Sequence, residues 1–257
     1  MDRNDAPVTR MSYAVPEVRR HTIALFQEML RFGADGVNVT LNRGYPLVLF
    51  EPAFREQFKE RYGEIDPRTI PETDSRIQTL RTDIVTGYFH ELRAMVDQEQ
   101  ATRAEKKHLE ISVTALGNKA DNLQYGVDLE RLVNEGMIDW IQVYPWDFGG
   151  SGVLDMKFYE QICKPRGIPF APSLPAHLGL KKMIEDTAKF YEGGAAGIAY
   201  WDAAVGDVFQ WGVLSRLGSA DGTLNRGELP NPPHHYYSFH ILGTQVLDGR
   251  YPPYWGG

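Results

Sequence analysis

Between Gly36 and Trp201 five short runs rich in β-branched and aromatic residues each end in polar or ring-bearing residues, and helical patterns separate them. Such a series of β-then-α units needs a parallel sheet with helices packed outside it. The first unit sets the pattern. Pro16 to Phe32 has apolar residues near helical spacing (Val18, Ile23, Leu25, Phe26, Met29, Leu30), with Pro16 suited to a helix start and Gly33 to a stop. The run Val37, Asn38, Val39, Thr40, Leu41 then reads as a buried strand, ending in Asn42, Arg43 and Gly44. In α/β folds that C-terminal strand end is where chemistry is placed.

Further strands are expected at His108–Leu116, Ile138–Tyr144, Ile168–Leu174 and Ala196–Trp201. Between them lie a helix near AFREQFKERYG and a long helix from about Arg76 to Glu105. That long helix carries Ile77, Leu80, Ile84, Tyr88, Leu92 and Met95 on one stripe. Shorter helices are expected at Asp128–Asn134, Met156–Pro165, Leu180–Glu192 and Trp211–Leu217. The fold class is therefore α/β, a partial (β/α) barrel of about five parallel strands. Residues 1–257 form a single domain, with 222–257 a C-terminal loop, helix and tail. No glycine-rich phosphate loop follows the opening strand.

Composition narrows the function. The 257 residues are 42% hydrophobic, enough for a sizeable core. A formal charge of −7 argues against a broad nucleic-acid surface. One cysteine, Cys163, excludes an internal disulfide and a multi-cysteine zinc site. No apolar run long enough for a membrane span is present, and the polar N-terminus does not read as a signal peptide, so a cytoplasmic location is expected. Aromatic residues make up 12% of the chain, and many follow strands, where flat rings suit hydroxyl-rich ligands such as sugars.

GADGVNVTLNRGYPLVLFEPAFREQFKERYGEIDP, FHELRAMVDQ, ISVTALGNKADNLQYGVDLERLVNEGMIDWIQVYPW and AAGIAYWDA together resemble the glycosyl-hydrolase-like, family-ten-like or DUF187-type bacterial (β/α)8 barrels. The resemblance covers most of residues 12–217. It implies that the five strands are strands four to eight of such a barrel, and that the function is glycoside hydrolysis. Two positions depart from the family pattern. Relatives carry a carboxylate where this chain has Thr40, and the segment IPFAPSLPAH, matching the seventh strand, has no acid. A five-stranded piece leaves sheet edges open, so a homo-oligomer or a missing N-terminal half of the barrel is expected as partner.

A glycosidase sets two carboxyl groups across one bond, about 5 to 9.5 Å apart. The strand-end acids are Asp202, Glu51 and Asp147, with Asp202 first because Trp201 beside it could floor a sugar subsite. Each has a structural alternative: Asp202 as a cap, Asp147 as a turn residue, Glu51 at the N-terminus of the next helix. Candidate carbohydrate contacts are Asn42, Arg43, Asn118, Tyr144, Trp146, His177 and Trp201. Asp35 and Asp139 lie at strand starts, the stability face of a barrel. No cofactor and no metal site is expected; His234, His235 and His240 do not form a ligand pattern at strand ends. Two rivals remain open: a non-catalytic carbohydrate-binding or degraded barrel, and a metal-dependent sugar lyase or isomerase using His177 and Asp202.

Overall fold

The computed structural model describes residues 1–42, 46–105, 107–146, 151–175, 179–200, 214 and 216–224. The strands β1 (Gly36–Thr40), β2 (Glu110–Ala115), β3 (Trp140–Val143), β4 (Phe170–Leu174) and β5 (Ala199–Tyr200) form one parallel sheet in the order β1-β2-β3-β4-β5. The helices are α1 (Pro16–Arg31), α2 (Pro52–Tyr62), α3 (Ser75–Thr102), α4 (Lys119–Gln124), α5 (Leu129–Asn134), α6 (Met156–Cys163), α7 (Leu180–Glu192) and α8 (Ala220–Leu224). Sheet and helices make a curled half-barrel, as the β-then-α pattern predicts. No described helix is long and apolar enough to cross a membrane.

Alternation along the strands decides what each face of the sheet touches. Val37 and Val39 of β1, Ile111 and Val113 of β2, and Ile141 and Val143 of β3 are all at most 4% exposed and point to the helix side. There they join the α3 residues Ile77, Leu80, Ile84, Tyr88, Leu92 and Met95 in one continuous core, so that stripe is placed as the heptad-like spacing predicts. Each large apolar side chain buried this way contributes about 1.5–3 kcal/mol.

Two sequence expectations need correction. The opening strand is not buried on both faces: Asn38 and Thr40 are exposed, and the run GVNVT alternates in and out. α1 is not a single apolar stripe. Leu30, Ile23 and Phe26 pack inward, whereas Leu25 and Met29 remain 49% and 48% exposed. KADNLQ, which the sequence pattern leaves unassigned, is the helix α4, whose first turn is capped by the Asn118 side chain accepting from the Asp121 N–H.

At the strand starts, Asp139 accepts hydrogen bonds from the Ile111 N–H (2.6 Å), His108 Nε2 (2.7 Å) and Arg93 Nη2 (2.5 Å). Asp35 pairs with Lys107 at 2.9 Å. Both acids sit where a barrel keeps its stability face.

Candidate functional site

The strand register assembles the surface that faces away from the helices. Cα partners share a face, so Asn38 lies beside Ser112, Thr40 beside Thr114, Thr114 beside Gln142, and Gln142 beside Ala171. Ser173 pairs with Ala199 one step further along. This concave face carries hydroxyls and amides: Asn38 and Thr40 are exposed and Gln142 is half-buried, whereas Ser112, Thr114 and Ser173 are at most 5% exposed. They are knitted together at the β1–β2 seam. Asn38 Nδ2 donates to Ser112 Oγ at 2.9 Å, and the Thr40 and Thr114 hydroxyls donate to Asn38 Oδ1 at 3.3 and 3.2 Å. Thr40 is exposed on this face.

The strand ends add rings and unpaired polar atoms. Backbone pairing runs one residue past β1 and β3, with the Leu41 N–H on the Thr114 carbonyl and the Tyr144 N–H on the Ala115 carbonyl. Tyr144 and the 36% exposed Trp146 then meet edge to face, ring centroids 5.4 Å apart. Asn42 is fully buried, and both its amide nitrogen and its amide oxygen lack a hydrogen-bond partner. Ser173 Oγ is likewise buried and unpartnered. Buried polar groups without partners are costly, each on the order of 1–3 kcal/mol, and Asn42 and Ser173 share this condition with others among the described residues, such as Thr86 and Thr187.

The end of β2 is held rigidly. The Asn122 amide accepts from the Leu116 N–H at 3.0 Å and donates to the Leu116 carbonyl at 3.0 Å and the Asn118 carbonyl at 2.8 Å. The Tyr159 hydroxyl also donates to the Leu116 carbonyl, and burial drives its pKa far up, so the proton stays on the phenol. Asn118 caps α4 and donates Nδ2 to Asp121 Oδ2 (2.8 Å), Ser151 Oγ (3.0 Å) and the Val153 carbonyl (3.2 Å). Asp121 Oδ2 also accepts from the Ser151 N–H and hydroxyl at 2.8 and 2.7 Å. This clasp fixes residues 151–153 across the end of β2.

Among the three acids picked from sequence, Glu51 is the one the described residues contain. It stands at the N-cap of α2 but makes no capping bond. It is 6% exposed; Oε1 accepts from the Ser12 hydroxyl and Oε2 is buried without a partner. The guanidinium of Arg81, 1% exposed, lies nearby: it sits over the rings of Phe50 and Phe54 at 5.1 and 6.0 Å and pairs with Glu72 at 2.9 Å. Burial lowers the Arg81 pKa, and the charges of Glu72 and Glu51 oppose that shift. Asp147, Asp202, Arg43, His177 and Trp201 lie outside the described residues, as do His234, His235 and His240 and the tail from 225 onward. No cluster of three or more metal-ligating side chains occurs among the described residues. A cavity of about 280 Å³ between α2 and residues 64–67 is lined by Arg55, Glu56, Lys59, Glu64 and Asp66, among others, and by none of the concave-face residues.

Sequence reasoning located Asn42, Asn118, Tyr144 and Trp146 at strand ends, and the structure places them there. It missed the concave-face residues, although their signal was the period-two alternation in GVNVT and in the Ser112–Thr114 and Trp140–Gln142 pairs. It also missed Asn122, Asp121, Ser151 and Tyr159, which meet only through folding.

No family model and no curated protein matches the chain. Among solved structures, the glycoside hydrolase domain of PgaB (BpsB) from Bordetella bronchiseptica has a similar fold, with TM-score 0.53 and 13% identity. The match covers 77% of this chain and 60% of that chain. The class the fold defines is thus a half-barrel of parallel strands, similar in architecture to part of a glycoside hydrolase domain.

Proposed function

We propose that the concave face is a carbohydrate-binding trough, and that the protein is a glycoside hydrolase-like enzyme whose strand-end carboxylates act on the bound sugar. The observation that carries this reading is the accessible polar row Asn38, Thr40 and Gln142 on one face of the sheet, backed by buried Ser112 and Thr114 and ending at the Tyr144–Trp146 pair. Hydroxyls and amides both donate and accept, matching the vicinal hydroxyls of a sugar, and exposed ring faces stack on the C–H faces of pyranoses. The likeness to a glycoside hydrolase domain supports the same class. In this reading Asp202, with Glu51 or Asp147, supplies the acid and base, and Asn42, Arg43, Asn118, His177 and Trp201 join Tyr144 and Trp146 around the sugar.

One observation favours a non-catalytic version. Glu51 is buried and engaged by Ser12, and Thr40 stands where the resemblance implies a carboxylate. A trough that binds without cleaving fits those two residues.

Calorimetric titration with a panel of soluble oligosaccharides tests the shared claim. Trp146→Ala is expected to weaken binding of any ligand found by about tenfold, the scale of one lost ring contact. Equal affinity in wild type and Trp146→Ala removes Trp146 from the site. Product analysis then separates the two versions. Hydrolysis lost in Asp202→Asn supports the enzyme, hydrolysis unchanged in that variant rejects Asp202, and binding with no turnover supports the trough alone.

A further inference from the structure

On the concave face β3 presents every second side chain: Trp140, Gln142 and, one step past the strand, Tyr144. All three are half-buried, whereas Ile141 and Val143 between them are fully buried on the helix side. Gln142 therefore stands between two aromatic residues, their Cα positions roughly 6–7 Å away in each direction along the strand.

The polar side chains around Gln142 are engaged with one another. Asn38 uses both ends of its amide, donating to Ser112 Oγ and accepting from the Thr40 and Thr114 hydroxyls. Gln142 is flanked by Thr114 on β2, whose hydroxyl turns to Asn38, and by Ala171 on β4, which has no polar side-chain atom. Of the accessible polar side chains Asn38, Thr40 and Gln142, Gln142 alone has no side-chain hydrogen bond among the described residues. Unlike the amide of Asn42, its amide is not enclosed.

A primary amide carries an acceptor and a donor side by side, and two adjacent hydroxyls of a pyranose present the matching pair. We propose that Gln142 is the specificity-determining residue of the trough: Oε1 accepts from one hydroxyl of the sugar and Nε2 donates to its neighbour. This rests on the carbohydrate reading and deepens it, because it limits the substrate class to sugar units with two free adjacent hydroxyls.

Three observations favour this role over a structural one. A glutamine that serves the fold is hydrogen-bonded within it, and Gln142 is not. Its level is the C-terminal end of β3, next to the last strand residue Val143, where a barrel places ligand contacts however many strands complete the ring. Its backbone is fixed: β3 is the middle strand of five, paired on both sides, and small Ala171 leaves room beside the amide.

Calorimetric titration of the full chain with cello-, xylo-, manno- and chito-oligosaccharides finds the sugar that binds best, and its monodeoxy analogues locate the hydroxyls that matter. In the wild type, removing either hydroxyl of one adjacent pair is expected to weaken binding at least about tenfold. Gln142→Ala and Gln142→Met, the second of similar length without the amide, are expected to bind the parent sugar at least about tenfold more weakly. Both are expected to bind those two analogues as well as they bind the parent. Gln142 makes no side-chain hydrogen bond among the described residues, so both variants are expected to melt with the wild type. Wild-type binding that Gln142→Met matches in affinity, or a Gln142→Met that still discriminates against the two analogues, overturns the assignment and leaves the trough standing. A wild type that binds none of these sugars overturns the carbohydrate reading, and the assignment falls with it.

Discussion

Asp139→Asn is expected to destabilise the fold by about 3 kcal/mol at neutral pH, the scale for removing one partner of a buried ion pair. The acid sits at the start of β3 and serves three donors on two other segments: the Ile111 N–H of β2, His108 just before it, and Arg93 of α3. Arg93 is 9% exposed, and its remaining contacts are long: the Met137 carbonyl at 3.3 Å, the Leu109 carbonyl at 3.5 Å and the exposed Asp97 at 3.7 Å. Without the Asp139 charge the guanidinium stays buried against weak acceptors. Burial by itself would raise the Asp139 pKa; the Ile111 N–H, His108 and Arg93 outweigh it and hold the carboxyl below its usual range. A depressed folded-state pKa means stability that is fully present above the unfolded value, about 3.9, and is lost as pH falls through the folded value. The wild-type advantage over Asp139→Asn is therefore expected to be constant from pH 7 to about 5 and to shrink below pH 4. Urea denaturation at each pH measures it, and at pH 7 the melting midpoint should drop by about 6–12 °C. An advantage that persisted unchanged to pH 2 would show that packing, not charge, is what the variant loses.

The parallel sheet was legible because each strand is a short run flanked by turn and cap residues, and because α3 and α7 have clean helical patterns. β2 to β5 start two or three residues later than the apolar runs suggest. His108 and Leu109 are drawn away by Asp139 and by Gln100, whose side-chain oxygen takes the Leu109 N–H at 2.7 Å. The two-row nature of α1 was harder to see. Leu25 and Met29 look like core residues in a linear pattern; which row packs inward depends on where Glu91 and Glu99 of α3 lie, some 70 residues away. The concave face was hidden for a different reason. Asn38, Thr40, Ser112 and Thr114 are single polar residues within apolar runs, and only the parallel register sets them side by side. Cα pairing across four strands is non-local information that residue types alone do not carry. Asn42 shows the limit from the other direction: its position at a strand end was readable, but its complete burial without a partner was not.

Gly117→Ala is expected to cost about 3 kcal/mol and to disturb the rim, whereas Gly87→Ala is expected to be neutral or stabilising. A Cβ on Gly117 would lie 2.1 Å from the Val153 carbonyl oxygen and 2.7 Å from Pro145 Cβ. Neither neighbour is the free end of a flexible side chain. Val153 is tied down through the Asn118 amide and Ser151, and the Gly117 carbonyl itself accepts from the Asp155 N–H at 2.8 Å. One backbone segment must therefore move, and overpacking of this kind costs about 1–3 kcal/mol before the hydrogen bonds lost with it. Gly87, inside α3, has open space around its Cβ position, and alanine there gains helix propensity of about 1 kcal/mol. Pro145 precedes Trp146, and Val153 follows the segment that carries Asp147. A shift at either is thus expected to change the exposure of Trp146. Acrylamide quenching of tryptophan fluorescence reads that shift, and chemical denaturation reads the stability loss. If Gly117→Ala matched the wild type in both, the strands β2 and β3 would not be as closely crossed by the 151–155 segment as these distances require, and the rim would lose the frame that positions its rings.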